Sequence, residues 1–348
     1  MQIKGLVWRL NNVWIHNQAR PTIDMNIVPI PDFSSLEENY YYKSVYDETI
    51  PIVMSRGCPF RCSFCSVPEY IPEYRYRTTD SVVQEMKEWM DKGKRYFFCQ
   101  DSIINGNAVW FKELCEKIIS TGLADRGLTF GGNTRLQANM RDLDTMRLYR
   151  RAGLTKMING FESASEPVLR HMKKYTNMDG VREIFENVRK VNQEVKDTYP
   201  PENQVPLVFG MQLIIGYLNE GEEDFKKTMD FVKEYHDVID EIITCSAFLI
   251  HEPLRKRWIK EGEYLEYING VNFSTKYNTP MDRLIRLDKI EKLFKKLKLP
   301  YSIYNRGLYL ELEEQKRKEE EENPELEWER IEKMIEEALI LENKRNMI

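Results

Sequence analysis

The chain alternates between two periodicities, and that alternation restricts its fold more than any other feature. Six short runs rich in β-branched and aromatic residues, Ile50–Ser55, Arg95–Cys99, Leu128–Gly131, Thr155–Gly160, Leu207–Ile215 and Glu241–Leu249, have the length and composition of strands. Between them lie stretches with apolar residues at helical spacing: Ser81–Lys92, Ala108–Ser120, Leu143–Ala152, Met178–Val195 and Glu222–Tyr235. Asp80 is the expected N-cap of the first helix and Gly93 its stop. Strands separated by helices imply βα units around a parallel sheet. Periodicity alone leaves both an open and a curled sheet available.

The flanks have a different character. Residues 1–47 form an irregular lead-in punctuated by Pro21, Pro29 and Pro31. Residues 48–265 carry the βα pattern, and residues 266–348 read as a helical region with an acidic tail. In that region Asp282–Leu297 is a helix candidate with Leu284, Ile285, Ile290, Leu293 and Phe294 on one face. Glu311–Glu322 is a charge run, a solvated helix or a loose linker. Pro324 sits in the first turn of a last candidate helix whose stripe, Trp328, Ile331, Ile335, Ala338 and Leu339, packs on the body or recruits a partner. The formal charge of −5 over 348 residues is uneven: residues 311–348 carry −7 and residues 1–310 carry +2. No basic stripe stands out, so charge gives no nucleic-acid signal. With 42% hydrophobic residues the chain can bury a large core. No apolar run reaches the ~18 residues of a membrane span, no signal-peptide pattern opens the chain, and six cysteines are too few for a disulfide scaffold. A cytoplasmic protein is the expectation.

The chemically informative segment follows the first strand-like run. In Ser55-Arg56-Gly57-Cys58-Pro59-Phe60-Arg61-Cys62-Ser63-Phe64-Cys65, three cysteines stand in a C-x3-C-x2-C spacing, and Gly57 and Pro59 favour a loop. A short loop can wrap three thiolates around one inorganic object. Iron–sulfur clusters are held by thiolates and normally take four, so three leave one iron open to another ligand. Two plainer readings stand beside this one. Zinc would need a fourth Cys or His, with Cys99 the nearest spare. Otherwise the three are unrelated buried thiols. Cys99, Cys115 and Cys245 lie inside apolar patterns and read as core.

At these residues the sequence resembles the radical S-adenosylmethionine (SAM) enzymes, whose signature is C-x3-C-x-Φ-C with an aromatic Φ, here Phe64. The resemblance covers roughly residues 46–250. It implies an α/β fold, a partial (βα)6 TIM-type barrel, with a [4Fe-4S] cluster on Cys58, Cys62 and Cys65. It further implies reductive cleavage of SAM to a 5′-deoxyadenosyl radical and a one-electron donor such as flavodoxin or ferredoxin.

The resemblance also assigns candidate SAM contacts at the ends of strands. Asp101, with Gln100 beside it, is the candidate acceptor for the SAM ammonium, against a turn or capping role. Arg135 is the candidate partner of the SAM carboxylate, against an internal ion pair. Glu162 and Ser163, in Gly160-Phe161-Glu162-Ser163, are candidates for the ribose hydroxyls or the methionyl end. Ile215 and Gly216 are candidates to flank the adenine, and Leu218 and Gly221 depart from the family's Pro and Thr in that turn. His251 and Glu252 also depart from the pattern, as substrate-facing groups or as structural ones. No catalytic residue is assigned beyond these.

Asp101-Ser102-Ile103-Ile104-Asn105-Gly106-Asn107 and the lead-in resemble the cobalamin-associated branch of the family. No cobalamin-binding domain precedes the lead-in in this sequence, and none of His16, His171, His236 and His251 has the Asp-x-His-x-x-Gly setting of a lower cobalamin ligand. A truncated chain, a lineage that lost the domain, and a split enzyme with cobalamin supplied by a partner protein are all open. The rivals to SAM cleavage are radical methylation with that partner and a non-catalytic cluster- or SAM-binding module.

Overall fold

A computed structural model of the chain describes residues 3–31, 49–174, 177–200 and 204–308, with 314 and 318. All six expected strands form, with ends moved by a few residues. They are β1 (Thr49–Ile52), β2 (Tyr96–Cys99), β3 (Thr129–Thr134), β4 (Leu154–Glu162), β5 (Val208–Ile215) and β6 (Glu241–Ala247), and they are joined by a seventh, β7 (Tyr301–Tyr304). Strand order in the sheet is β7-β6-β5-β4-β3-β2-β1. The pairs β1·β2, β2·β3, β3·β4 and β6·β7 are parallel, with registers such as Ile50↔Phe97, Phe97↔Phe130, Gly132↔Met157 and Ile242↔Tyr301. Sequential parallel strands with helices in the connections are the arrangement of a partial TIM-type barrel. β7 lies within residues 266–348, the part read from the sequence as a helical region with an acidic tail. Tyr-Ser-Ile-Tyr is too short a run to declare itself a strand, and it forms by pairing with β6.

The chain divides into two compact units, one made of the chain up to Phe161 with Met172–Met211 and Asp237–Asp240, the other of Glu162–His171, Gln212–His236 and the chain from Glu241 onward. In the first, α1 (Thr79–Asp91), α2 (Ala108–Ser120), α3 (Leu143–Arg151) and α4 (Met178–Thr198) each bury one stripe. Val82, Met86 and Met90 on α1 and Phe111, Leu114, Cys115 and Ile118 on α2 have the spacing of one helical face. Thr78, not Asp80, caps α1: its hydroxyl accepts from the Ser81 N–H, while Asp80 lies inside the first turn and pairs with Lys117 at 2.7 Å. Gly93 ends the helix as expected, at φ +89°. Phe185 on α4 stacks between Phe161 and Phe209, with ring centroids 6.3 and 4.6 Å away.

The lead-in is more ordered than its prolines suggest. Val7–Leu10 and Val13–His16 pair antiparallel about Asn11-Asn12, whose φ values of +47° and +65° are those of a two-residue turn with both central residues left-handed. Asparagine tolerates that region, which is why the turn forms without glycine.

The second unit contains α5 (Glu222–Glu234), α6 (Glu252–Lys260) and α7 (Pro280–Leu297). α7 opens with a reciprocal cap, Thr279 bonding Asp282 N–H and Asp282 bonding Thr279 N–H. Its buried face is not quite the expected one. Leu284, Leu287, Ile290, Leu293 and Phe294 are buried, but Ile285 is 44% exposed, whereas Arg283 and Arg286 are buried. Arg283 lies 3.9 Å over the Phe273 ring and bonds Asn278 and the Phe273 carbonyl; Arg286 bonds the Glu220 carbonyl at 2.9 Å. Paired in this way, both arginines take core positions that a polar–apolar pattern gives to Ile285. Apart from Glu314 and Lys318, the acidic tail lies outside the described residues, as does the last candidate helix. Among the described residues no helix is long and apolar enough to cross a membrane.

Cys99, Cys115 and Cys245 are buried, and burial pushes each thiol far above its ordinary range, as core cysteines require. The aromatic stack around α4 is the packing test for the first unit. Phe185→Ala should cost about 3–5 kcal/mol, measured by urea denaturation; a loss under about 1 kcal/mol, the range of tolerated core swaps, would contradict this packing.

Candidate functional site

The three cysteines do lie in a loop, and local contacts fix both its ends. Ser55–Arg56 pairs antiparallel with Arg75–Tyr76, so the chain from Gly57 to Tyr74 is a closed excursion beside β1. Gly57 has φ +80°, and a Cβ there would stand 2.4 Å from the Glu73 carbonyl oxygen, so only glycine fits. Inside the loop the Cys65 N–H bonds the Cys62 carbonyl at 3.1 Å, and Ser63 N–H bonds the Met172 carbonyl at 2.9 Å. Arg61 braces it by donating to the Cys58 and Pro72 carbonyls, both at 2.7 Å.

Cys58, Cys62 and Cys65 are all half-exposed free thiols. Burial raises the Cys58 thiol above its ordinary value; a backbone hydrogen bond from Phe60 opposes this, Cys62 and Cys65 add to it, and Arg135 opposes it. Three thiols near enough to feel one another, turned partly to solvent on a backbone braced from both sides, are a soft donor set suited to an iron–sulfur cluster. Among the described residues no group of three or more His, Cys, Asp or Glu is gathered as around a single metal ion. A four-iron cluster spreads its ligands over several metals and does not need such a gathering.

Asp101 follows β2 and is engaged with the backbone of the strand beside it. Its carboxylate is buried and accepts from Met54 N–H at 3.1 Å, from Ser55 N–H, and from the Ser55 hydroxyl at 2.5 Å. The expected SAM acceptor therefore clamps the backbone that feeds the cysteine loop. Burial lifts its carboxyl to about 6, against the three bonds from Ser55 and Met54 that pull it down. Asn133 on β3 donates to the Asp101 carbonyl at 3.1 Å; the preceding Gln100 bonds the Ile52 carbonyl through its N–H at 2.9 Å, and its side chain is exposed.

Arg135, after β3, lies at the cysteine loop. Its Nη1 is 3.4 Å from Cys62 Sγ, its Nη2 bonds the Lys174 carbonyl, and its guanidinium carbon lies 4.0 Å over the Phe60 ring. Asn105 grips the same residue twice, Nδ2 to the Arg135 carbonyl at 2.8 Å and Oδ1 from the Arg135 N–H at 3.0 Å. Phe64 is half-buried, with Lys174 Nζ 5.8 Å from its ring centre. The first unit thus brings together the cysteines, Phe64, Asp101 and Arg135. Asn105, Lys174 and Tyr74 join them without having been singled out in the sequence. Asn105 had a signal in its Asn-Gly-Asn run; Lys174 had none. The Tyr74 hydroxyl is buried with no hydrogen bond, and burial pushes it to about 12.

The remaining candidates belong to the second unit. Glu162 is a buried non-glycine residue at φ +71°, a strained conformation of the kind found where a side chain has a task at a strand end. Ser163, a candidate for the ribose hydroxyls or the methionyl end, is fully buried between the Thr228 hydroxyl at 3.3 Å and the Ser165 N–H at 3.1 Å, and so organises the turn into Glu166–His171. Ile215 is buried. Gly216 has φ +72°, and its neighbour is Arg283, whose side chain a Cβ would meet at 2.1 Å. The Gly216 N–H bonds Glu220, a buried carboxylate that sequence reading passed over, at 2.8 Å. Glu252 pairs with Arg255 at 2.7 Å, and His251 has a buried, unpartnered Nε2.

A pH test follows from Asp101. Its folded value lies above the ordinary one, so its contribution to stability is present below about 4 and is lost as pH rises to about 6. In urea titrations at pH 4.5, 6 and 8, the stability of the parent relative to Asp101→Asn should fall over that window and then level off. A flat difference, or one that rises with pH, would contradict the burial described.

A model of the Radical SAM superfamily matches residues 52–232, just over half of the chain. The sequence is 30% identical over 230 residues to the anaerobic magnesium-protoporphyrin IX monomethyl ester cyclase of Cereibacter sphaeroides, covering 65% of this chain and 35% of that protein. It is 27% identical over 231 residues to the bacteriochlorophyllide d C-12(1)-methyltransferase of Chlorobaculum tepidum, covering 65% and 45%. The chain thus spans less than half the length of these curated relatives. Its fold is similar to that of the cobalamin-dependent S-adenosylmethionine radical enzyme OxsB, with a TM-score of 0.59 at 14% identity over 84% of this chain and 47% of that one. The family match falls on the cysteine loop and the strands that hold it, and the chain belongs to the radical SAM superfamily, whose members use a [4Fe-4S] cluster and SAM.

Proposed function

We propose that this chain is a radical SAM enzyme whose cluster is held by Cys58, Cys62 and Cys65, acting with an external one-electron donor of the flavodoxin or ferredoxin class. The observation that carries the reading is the donor set: three mutually close, half-exposed thiols on a loop fixed at both ends, with no fourth cysteine in the segment. When bound, the cluster and SAM supply reductive cleavage of the sulfonium to a 5′-deoxyadenosyl radical.

The chain's own residues orient and shield. Gly57, Arg61 and the clamp from Asp101 hold the thiols in one arrangement before any ligand arrives, which lowers the ordering cost of binding. Phe64, Gln100, Glu162, Ile215 and Gly216 are the SAM contacts we propose, because they lie in the cysteine loop or at the C-terminal ends of strands. Asp101 and Ser163 act behind them, through the backbone they hold.

The names of the relatives favour a second reading within the same chemistry. One is a methyltransferase, which is consistent with radical methylation using cobalamin from a partner protein. Others are a cyclase and methylthiotransferases of ribosomal protein uS12, so the substrates differ widely and only the shared cofactor chemistry transfers. Adding methylcobalamin or a cobalamin-binding partner and following methyl transfer separates this reading from plain hydrogen abstraction.

Anaerobic reconstitution with iron and sulfide should load about four iron atoms per chain, and dithionite with SAM should then release 5′-deoxyadenosine. Cys58→Ala, Cys62→Ala and Cys65→Ala should each reduce that release to background. Cluster and SAM binding without 5′-deoxyadenosine would identify a non-catalytic module instead, and zinc in anaerobically purified protein would overturn the cluster assignment.

A further inference from the structure

We propose that Arg135 is a positioning residue of the cluster site, donating from Nη1 to the Cys62 sulfur and thereby raising the potential at which a bound cluster is reduced. The inference rests on the cluster reading above. It differs from the role that the sequence suggests for this arginine, a bidentate clamp on the SAM carboxylate.

The geometry distinguishes the two roles. A bidentate clamp needs two parallel N–H groups pointing at one carboxylate. Here the fork is divided: Nη1 lies 3.4 Å from Cys62 Sγ and Nη2 is bonded to the Lys174 carbonyl. The flat face is also engaged, 4.0 Å over Phe60, a residue of the cysteine motif itself. The backbone on either side of the side chain is tied to Asn105 by bonds of 2.8 and 3.0 Å. A guanidinium fixed through its face, one end and its own backbone presents Nη1 to the sulfur without further ordering.

The charge argument gives the sign. Arginine keeps its proton at all working pH values, so the donor is permanent. A thiolate bound to iron carries more negative charge when the cluster is reduced, so a fixed cation and an N–H bond stabilise the reduced form more than the oxidised one. Removing them lowers the reduction potential. The lysine variant keeps a charge on a flexible stem but loses the planar fork, so it should fall between parent and neutral variant.

The test is an EPR-monitored redox titration of the reconstituted full chain without SAM, so that effects on SAM binding do not enter. Arg135→Met should shift the reduced-to-oxidised ratio at fixed potential by about tenfold toward oxidised, which for one electron is about 59 mV downward. Iron content should match the parent, and Arg135→Lys should be intermediate. An unchanged midpoint in a fully loaded Arg135→Met protein overturns the proposal, as does a defect confined to SAM affinity. Should the neutral variant not take up iron, the parent labelled with ¹⁵N-guanidinium arginine decides. Spin-echo modulation from nitrogen on the reduced cluster, lost in Arg135→Lys, supports the contact; no modulation overturns it. A parent that loads no four-iron cluster overturns both this inference and the reading on which it rests, whereas a loaded parent whose potential ignores Arg135 overturns only this one.

Discussion

The buried carboxylate of Asp101 is the constraint on which the candidate site depends. One side chain at the end of β2 accepts from two consecutive backbone N–H groups and a hydroxyl at Met54 and Ser55, the residues through which β1 runs into the cysteine loop. Unpaired buried N–H groups at that point would cost about 1–3 kcal/mol each. Meeting them with a single fixed acceptor gives the loop one starting direction. Gly57 then turns the chain where any Cβ would strike the Glu73 carbonyl, and Arg61 and the Met172 carbonyl hold the far side. The thiols inherit their positions from these backbone contacts, and no direct cysteine–cysteine bond is needed.

The second unit uses the same device with different residues. The Gly216 backbone is gripped by Glu220, which is buried beside Arg286 at 3.4 Å, and Arg283 fills the space a side chain at 216 would take. Ser163 and Thr228 likewise secure the turn after β4. In both units the polar residues at strand ends are largely engaged in holding backbone, and the groups offered outward stand on backbone so held. Burying charge in this way is costly unless it is paired, and Asp101, Glu220, Arg283 and Arg286 each have named donors or acceptors.

Much of this was legible in the sequence, and the limits have physical causes. Strand and helix periodicity located six of the seven sheet strands, because each carries a run long enough to show its period; Tyr301–Tyr304 does not. The cysteine spacing was legible because its chemistry is local, contained in eight residues. Asp101 was singled out, but its bonds to Met54 and Ser55 were not legible, since those partners lie 47 and 46 residues away and no local pattern encodes them. On α7 the apolar stripe was legible, but the burial of Arg283 and Arg286 was not, because Phe273, Asn278 and Glu220 supply their partners from outside the helix. The hairpin about Asn11-Asn12 was missed because Asn-Asn is a weaker turn signal than Asn-Gly.

The central claim is that three cysteines, and only three, hold a four-iron cluster and leave one iron for SAM. The most direct measurement is hyperfine spectroscopy of the reduced cluster, with and without SAM carrying ¹⁵N in its amino group. The account predicts that SAM changes the cluster signal and that the labelled nitrogen couples directly to it. Identical spectra with and without SAM, and no nitrogen coupling, would contradict it.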